Sequence, residues 1–90
     1  MSTKTKQELP KWFNGELYEE GEDVTNPFSG ESIYLNNIEL SIYDFIMGAT
    51  IVLEAGIYSD KDHKKLKNDF DKGLRWFMKN NSKAYMVLLD

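Results

Sequence analysis

The chain contains no cysteine and only one histidine, and between Trp12 and Asp60 it has no lysine or arginine. Without thiols there is no disulfide, no thiolate zinc site and no cysteine nucleophile. His63 stands among charged residues with no second histidine. A metal site or general base there would need partners that only the fold could bring, so it reads as an exposed surface histidine. Ser29, Ser32, Ser41, Ser59 and Ser82 fall at turn or helix-cap positions, and none sits in a Gly-x-Ser-x-Gly elbow. No glycine motif of the phosphate-cradling kind is present. No catalytic, cofactor-binding or metal-ligating residue is therefore assigned, and a non-enzymatic protein without cofactors is expected. A long uncharged apolar run is missing as well. A membrane helix needs about 20 such residues, and Asp44 and Glu54 interrupt the most apolar stretch. Met1–Lys6 lack the apolar core of a signal peptide. The expected location is the cytoplasm.

What is present suits a folded domain: 41% hydrophobic and 13% aromatic residues in a chain of 90, well away from disordered compositions. A chain this short has a small core and supports one domain. The polar residues 1–10, closed by Pro10, read as a flexible tail, and 11–90 as a single globular unit. The expected class is α+β. A short antiparallel β-hairpin (about 16–35) packs on a mainly helical core, with helices at about 38–56 and 60–79 and a short C-terminal element at 83–89.

The stretch 38–56 organises the rest. At helical spacing Ile42, Phe45, Ile46, Ala49, Val52 and Leu53 share one face, and Leu40, Tyr43 and Met47 a second. Asn37, Ser41, Asp44, Gly48 and Ala55 form a strip of small or polar groups between them. Asn37 or Ser41 is the expected N-cap, Ser41 with Asp44 approximating a capping box, and Gly56 the expected stop. A helix that is apolar on two sides needs cover on both, from its own chain or from a second copy. That motivates a homodimer through 38–56.

Before it, Leu17, Tyr18 and Val24 lie on a first strand within 16–25, and Ile33 and Leu35 on a second at 31–35. Asn26-Pro27-Phe28-Ser29-Gly30 has the chemistry of the turn between them. Trp12 and Phe13 are expected to pin the tail's end to the core. After it, Ser59 with Asp62 is the expected capping box of the helix at 60–79. Leu66, Phe70, Leu74 and Phe77 form its buried face, with Gly73 beside them. The run 83–89 fits either a short helix or a strand, and a cap at Ser82 favours the helix.

Charge is segregated along the chain. Ten acids and no lysine or arginine lie between Trp12 and Asp60, whereas eight bases and three acids lie between Lys61 and Lys83. Two surfaces follow as candidates for a protein partner: the acidic hairpin, with Glu19, Glu20, Glu22 and Asp23, and the basic helix edge, with Lys72, Arg75, Trp76 and Lys79. The second is also the place to consider nucleic acid, since cations meet phosphates and an indole stacks on bases. The net charge of −4 weighs against a long duplex there. Glu19-Glu20-Gly21-Glu22-Asp23 lacks the alternating ligand spacing of a calcium loop.

Three stretches, Asn26-Pro27-Phe28-Ser29-Gly30-Glu31, Tyr43-Asp44-Phe45-Ile46-Met47-Gly48-Ala49 and Ala84-Tyr85-Met86-Val87-Leu88-Leu89-Asp90, resemble small uncharacterised proteins of marine contractile-tailed bacteriophages. They cover less than half of the chain. The resemblance implies a phage-encoded accessory or host-directed factor in a bacterial cytoplasm, and it brings no reaction and no functional residues.

Overall fold

A computed structural model describes residues 7–13, 15–56 and 60–90. In chain order the elements are β1 (Glu22–Thr25), β2 (Ser32–Leu35), α1 (Asn37–Ala55), α2 (Asp60–Asn80) and α3 (Ser82–Ala84), which runs on into a π-helical stretch at Tyr85–Leu89. The expected α+β architecture is the one observed. The C-terminal alternatives resolve to helix.

The two strands pair antiparallel, with Val24 opposite Ile33 and Thr25 opposite Ser32. The hairpin is shorter than the sequence suggests, because residues 16–21 form no strand. Its turn is built by Asn26. The Oδ1 of Asn26 accepts from Phe28 N at 2.8 Å and Ser29 N at 3.4 Å, while its Nδ2 donates to the Val87 carbonyl at 2.9 Å. Gly30 closes the turn at φ 79, in the left-handed region that glycine tolerates. Gly21 has a different constraint. A Cβ there would overlap the carbonyl oxygen of Leu35 and lie 2.7 Å from Asn36 Cα, so the chain passes too close to β2 for any side chain.

The start of α1 differs from expectation. The N-cap is Asn36, whose Oδ1 accepts from Glu39 N, and Glu39 answers by accepting from Asn36 N. Ser41 is a buried residue of the helix rather than its cap. Gly56 ends the helix at φ 65, as expected. For α2, the expected cap at Ser59 lies outside the described residues. For α3 the cap is Asn81 rather than Ser82: Asn81 Oδ1 accepts from Ala84 N at 3.1 Å. A longer amide at that position also reaches the core, which the hydroxyl of Ser82 could not do.

The core gathers one or two residues from each part of the chain: Phe13, Leu35, Ile42, Ile46, Phe77 and Ala84. Phe13 packs edge-on to Phe45 and Trp12, with ring centroids 6.1 Å from each. The aromatic pair thus pins its segment as expected. α1 packs chiefly on α2, and Gly73 sets that approach, since its Cβ position lies 3.0 Å from Ile46 Cγ1.

One buried group is not apolar. Glu39 is only 3% exposed. Its Oε1 accepts from Asn36 N at 2.9 Å, and its Oε2 accepts from Gln7 Nε2 at 2.7 Å and from Asn81 Nδ2 at 3.0 Å. Asn36 Nδ2 donates in turn to Gln7 Oε1 at 2.9 Å. Gln7 was read from the sequence as part of the tail, yet it is half-buried and held at both ends of its amide. Among the described residues no base pairs with this carboxylate.

A neutral amide in place of Glu39 would turn its own NH₂ toward donors. Neither partner can flip to compensate, because Gln7 Oε1 and Asn81 Oδ1 are already accepting. Glu39→Gln is therefore expected to destabilise the fold by about 1–3 kcal/mol and Glu39→Ala by about 3 kcal/mol or more, read from urea unfolding midpoints. Gly21→Ala should cost about 1–3 kcal/mol by overpacking; an unchanged midpoint would contradict the close approach to β2.

Candidate functional site

Three surfaces are distinct from the core. The first is a groove between residues 8–12 and the C-terminal half of α2. Leu9, Pro10 and Trp12 form one wall, and Lys72, Arg75, Trp76 and Lys79 the other, around a space of about 540 Å³. The helical offsets 72, 75, 76 and 79 put all four on one side of α2, so the residues singled out from the sequence do converge. Trp12, placed there by its packing against Phe45 at 5.8 Å, was not expected to face them. Trp76 is fixed by Phe77, ring on edge at 5.4 Å, and its carbonyl accepts from Asn80 Nδ2.

The cations of α2 divide into two sets. In its first half Lys65 pairs with Asp69 and Lys67 with Asp71, both at 3.1 Å and four residues apart. In its second half Lys72, Arg75 and Lys79 form no ion pair or side-chain hydrogen bond among the described residues. Lys61 and Lys64, in the first half, have no such partner either. His63 is exposed on this helix.

The second surface is an acidic cleft lined by Tyr18, Glu19, Glu20, Glu22, Leu40 and Asp44. Asp23 is exposed on β1 opposite Tyr34 and takes no part. The floor is the strip of small and polar groups on α1, which is where residues 16–20 run instead of pairing as a strand. Tyr18 N donates to Ser41 Oγ at 2.8 Å, Ser41 Oγ to the Asn37 carbonyl at 2.7 Å, and Asn37 Nδ2 to the Tyr18 carbonyl at 3.2 Å. The Tyr18 hydroxyl donates to Asp44 Oδ2 at 2.7 Å. Asp44 is thereby occupied by a structural bond. Among the described residues no group of histidines and carboxylates is disposed to hold a metal ion.

The third surface is the outer face of α1. Met47 is 39% and Ile51 69% exposed, with Leu40 and Tyr43 half-buried above them. Gly48 is exposed beside them, and its Cβ position has no atom within 4 Å. The inner face is covered as expected; on the outer one Leu40 and Tyr43 pack against the core, while Met47 and Ile51 stay open among the described residues. No helix among the described residues is long and apolar enough to cross a membrane.

The Asp44 bond raises the Tyr18 phenol above its ordinary value. Partial desolvation and the charges of Asp44, Glu16 and Glu22 push the same way. Burial, then Asp44, raises Tyr43. The folded protein thus holds both phenolic protons more tightly than the unfolded chain. This contribution to stability is complete below about pH 10 and is lost as pH rises through the folded values. Urea unfolding across alkaline pH should show that decline, and Tyr18→Phe should flatten it while leaving the part due to Tyr43. An unchanged slope would remove the Tyr18–Asp44 bond as its cause.

Compared with protein families, with characterised proteins and with solved structures, the chain matches none.

Proposed function

We propose that this protein is a non-catalytic protein-interaction module that forms a homodimer through the outer face of α1. The observation that carries this reading is the exposure of Met47 and Ile51 at the end of the row Leu40, Tyr43, Met47 and Ile51. The row spans about 16 Å along the helix. Gly48, beside the row, has open space around it, and a two-fold pair would bury the same patch on both copies. Apolar rows of this kind mark contact surfaces in small soluble domains. The non-catalytic part is supported by Asp44 and Tyr18, whose polar ends are spent on each other. The phage resemblance suggests a host bacterial cytoplasm as the setting.

α1 carries Asp44 and Glu54 along the edges of the row and no base, so two copies face each other with acidic rims. Salt screens that repulsion. Sedimentation equilibrium should show a dimer that tightens as salt is added. Ile51→Lys should give a folded monomer, since the position is exposed and such changes usually alter stability by no more than about 0.5 kcal/mol. A wild-type monomer at every concentration, or an undiminished Ile51→Lys dimer, would sink the dimer.

A further inference from the structure

From the groove beside α2 we infer a second interface, one that takes an acidic polypeptide segment of another protein, anchored by an aromatic or long aliphatic side chain. The inference rests on the reading of this chain as an interaction module, but it uses a different surface from the dimer. Three features define the occupant.

The first is charge. Lys72, Arg75 and Lys79 have no partners among the described residues and, unlike the equally unpaired Lys61 and Lys64, line the groove together. They span about 10 Å along α2, the length of roughly three residues of extended chain. An occupant with carboxylates two or three residues apart meets them in register. The second is the apolar wall of Trp12, Trp76 and Leu9. A side chain placed between two indoles buries area that water otherwise covers, and cations at the rim then act on carboxylates in a partly desolvated setting.

The third feature separates a polypeptide from a nucleic acid. Glu8 and Leu9 line the groove, and their backbone groups have no hydrogen-bond partner among the described residues. Free N–H and C=O groups along a groove wall are what an added strand uses. A phosphate backbone can accept from the N–H groups but has nothing to donate to the C=O groups.

The test is fluorescence anisotropy at low salt with the full chain and three labelled probes. These are a five-residue peptide of four glutamates around a central phenylalanine, the same peptide with glycine at the centre, and a single-stranded oligothymidylate. The phenylalanine peptide should bind, the glycine peptide tenfold or more weakly, and added salt should weaken binding, opposite to its effect on the dimer. Arg75→Glu with Lys79→Glu, both exposed positions, should lower affinity at least tenfold with an unchanged circular dichroism spectrum. Lys65→Glu should leave it within twofold. Three results would overturn the proposal: no peptide binding, oligothymidylate binding as tightly as the peptide, or Arg75→Glu with Lys79→Glu abolishing self-association, which would make a second copy the occupant. Ile51→Lys keeps the two readings apart, since it should remove the dimer and leave peptide binding intact.

Discussion

A buried carboxylate that no cation among the described residues pairs with joins the separate parts of this fold. Glu39 lies in the interior and is satisfied entirely by amide donors: one backbone N–H from its own helix cap, and side-chain NH₂ groups from both ends of the chain. Burying an ionised group is costly unless its oxygens are hydrogen-bonded, and here each acceptor bond is charge-assisted. The same atoms serve other duties. Asn36 caps α1, Asn81 caps α3, and Gln7 fastens the N-terminal segment that becomes the groove's wall. Removing the carboxylate would loosen three junctions together, so its effect reaches well beyond a single contact.

Seen from that centre, the surfaces are consequences of what a small core can cover. The hairpin and the Tyr18 segment occupy one side of α1, and α2 with α3 occupies another. Among the described residues nothing closes over Met47 and Ile51 on the outer face of α1. The groove arises similarly, because residues 8–12 meet α2 through Trp12 and leave the basic edge open.

Much of the architecture was legible in the residues. The 3.6-residue spacing of Ile42, Ile46 and Ala49 fixed the inner face of α1. Asn26, Pro27 and Gly30 fixed the turn, and Gly56 the end of the helix. The caps were harder, because Asn36, Asn37 and Ser41 are all good N-caps and periodicity does not rank them. A stricter search for Asn-x-x-Glu would have found Asn36 with Glu39, and with it a hint that this acid is not a surface residue. Hydropathy alone assigns any glutamate to water. The Tyr18 segment was misread as strand because its apolar residues match a strand, while its partners, Asn37, Ser41 and Asp44, are recognisable only once α1 is in place. Lys72, Arg75, Trp76 and Lys79 were visible as one helical side. That Leu9 and Trp12 face them depends on long-range packing, Trp12 on Phe45 among it, which no local pattern encodes.

The positions that surround Glu39 also say when this protein can fold. Gln7 and Asn81 reach the same oxygen from positions 74 residues apart, so a growing chain on the ribosome lacks the final donor until the whole of α2 has been made. Contacts of such sequence separation slow folding and postpone it. A nascent chain stopped after α1 would hold an interior acid short of a partner. The domain should therefore be acquired as a unit once residues 7–81 are all available, rather than hairpin first and helices after.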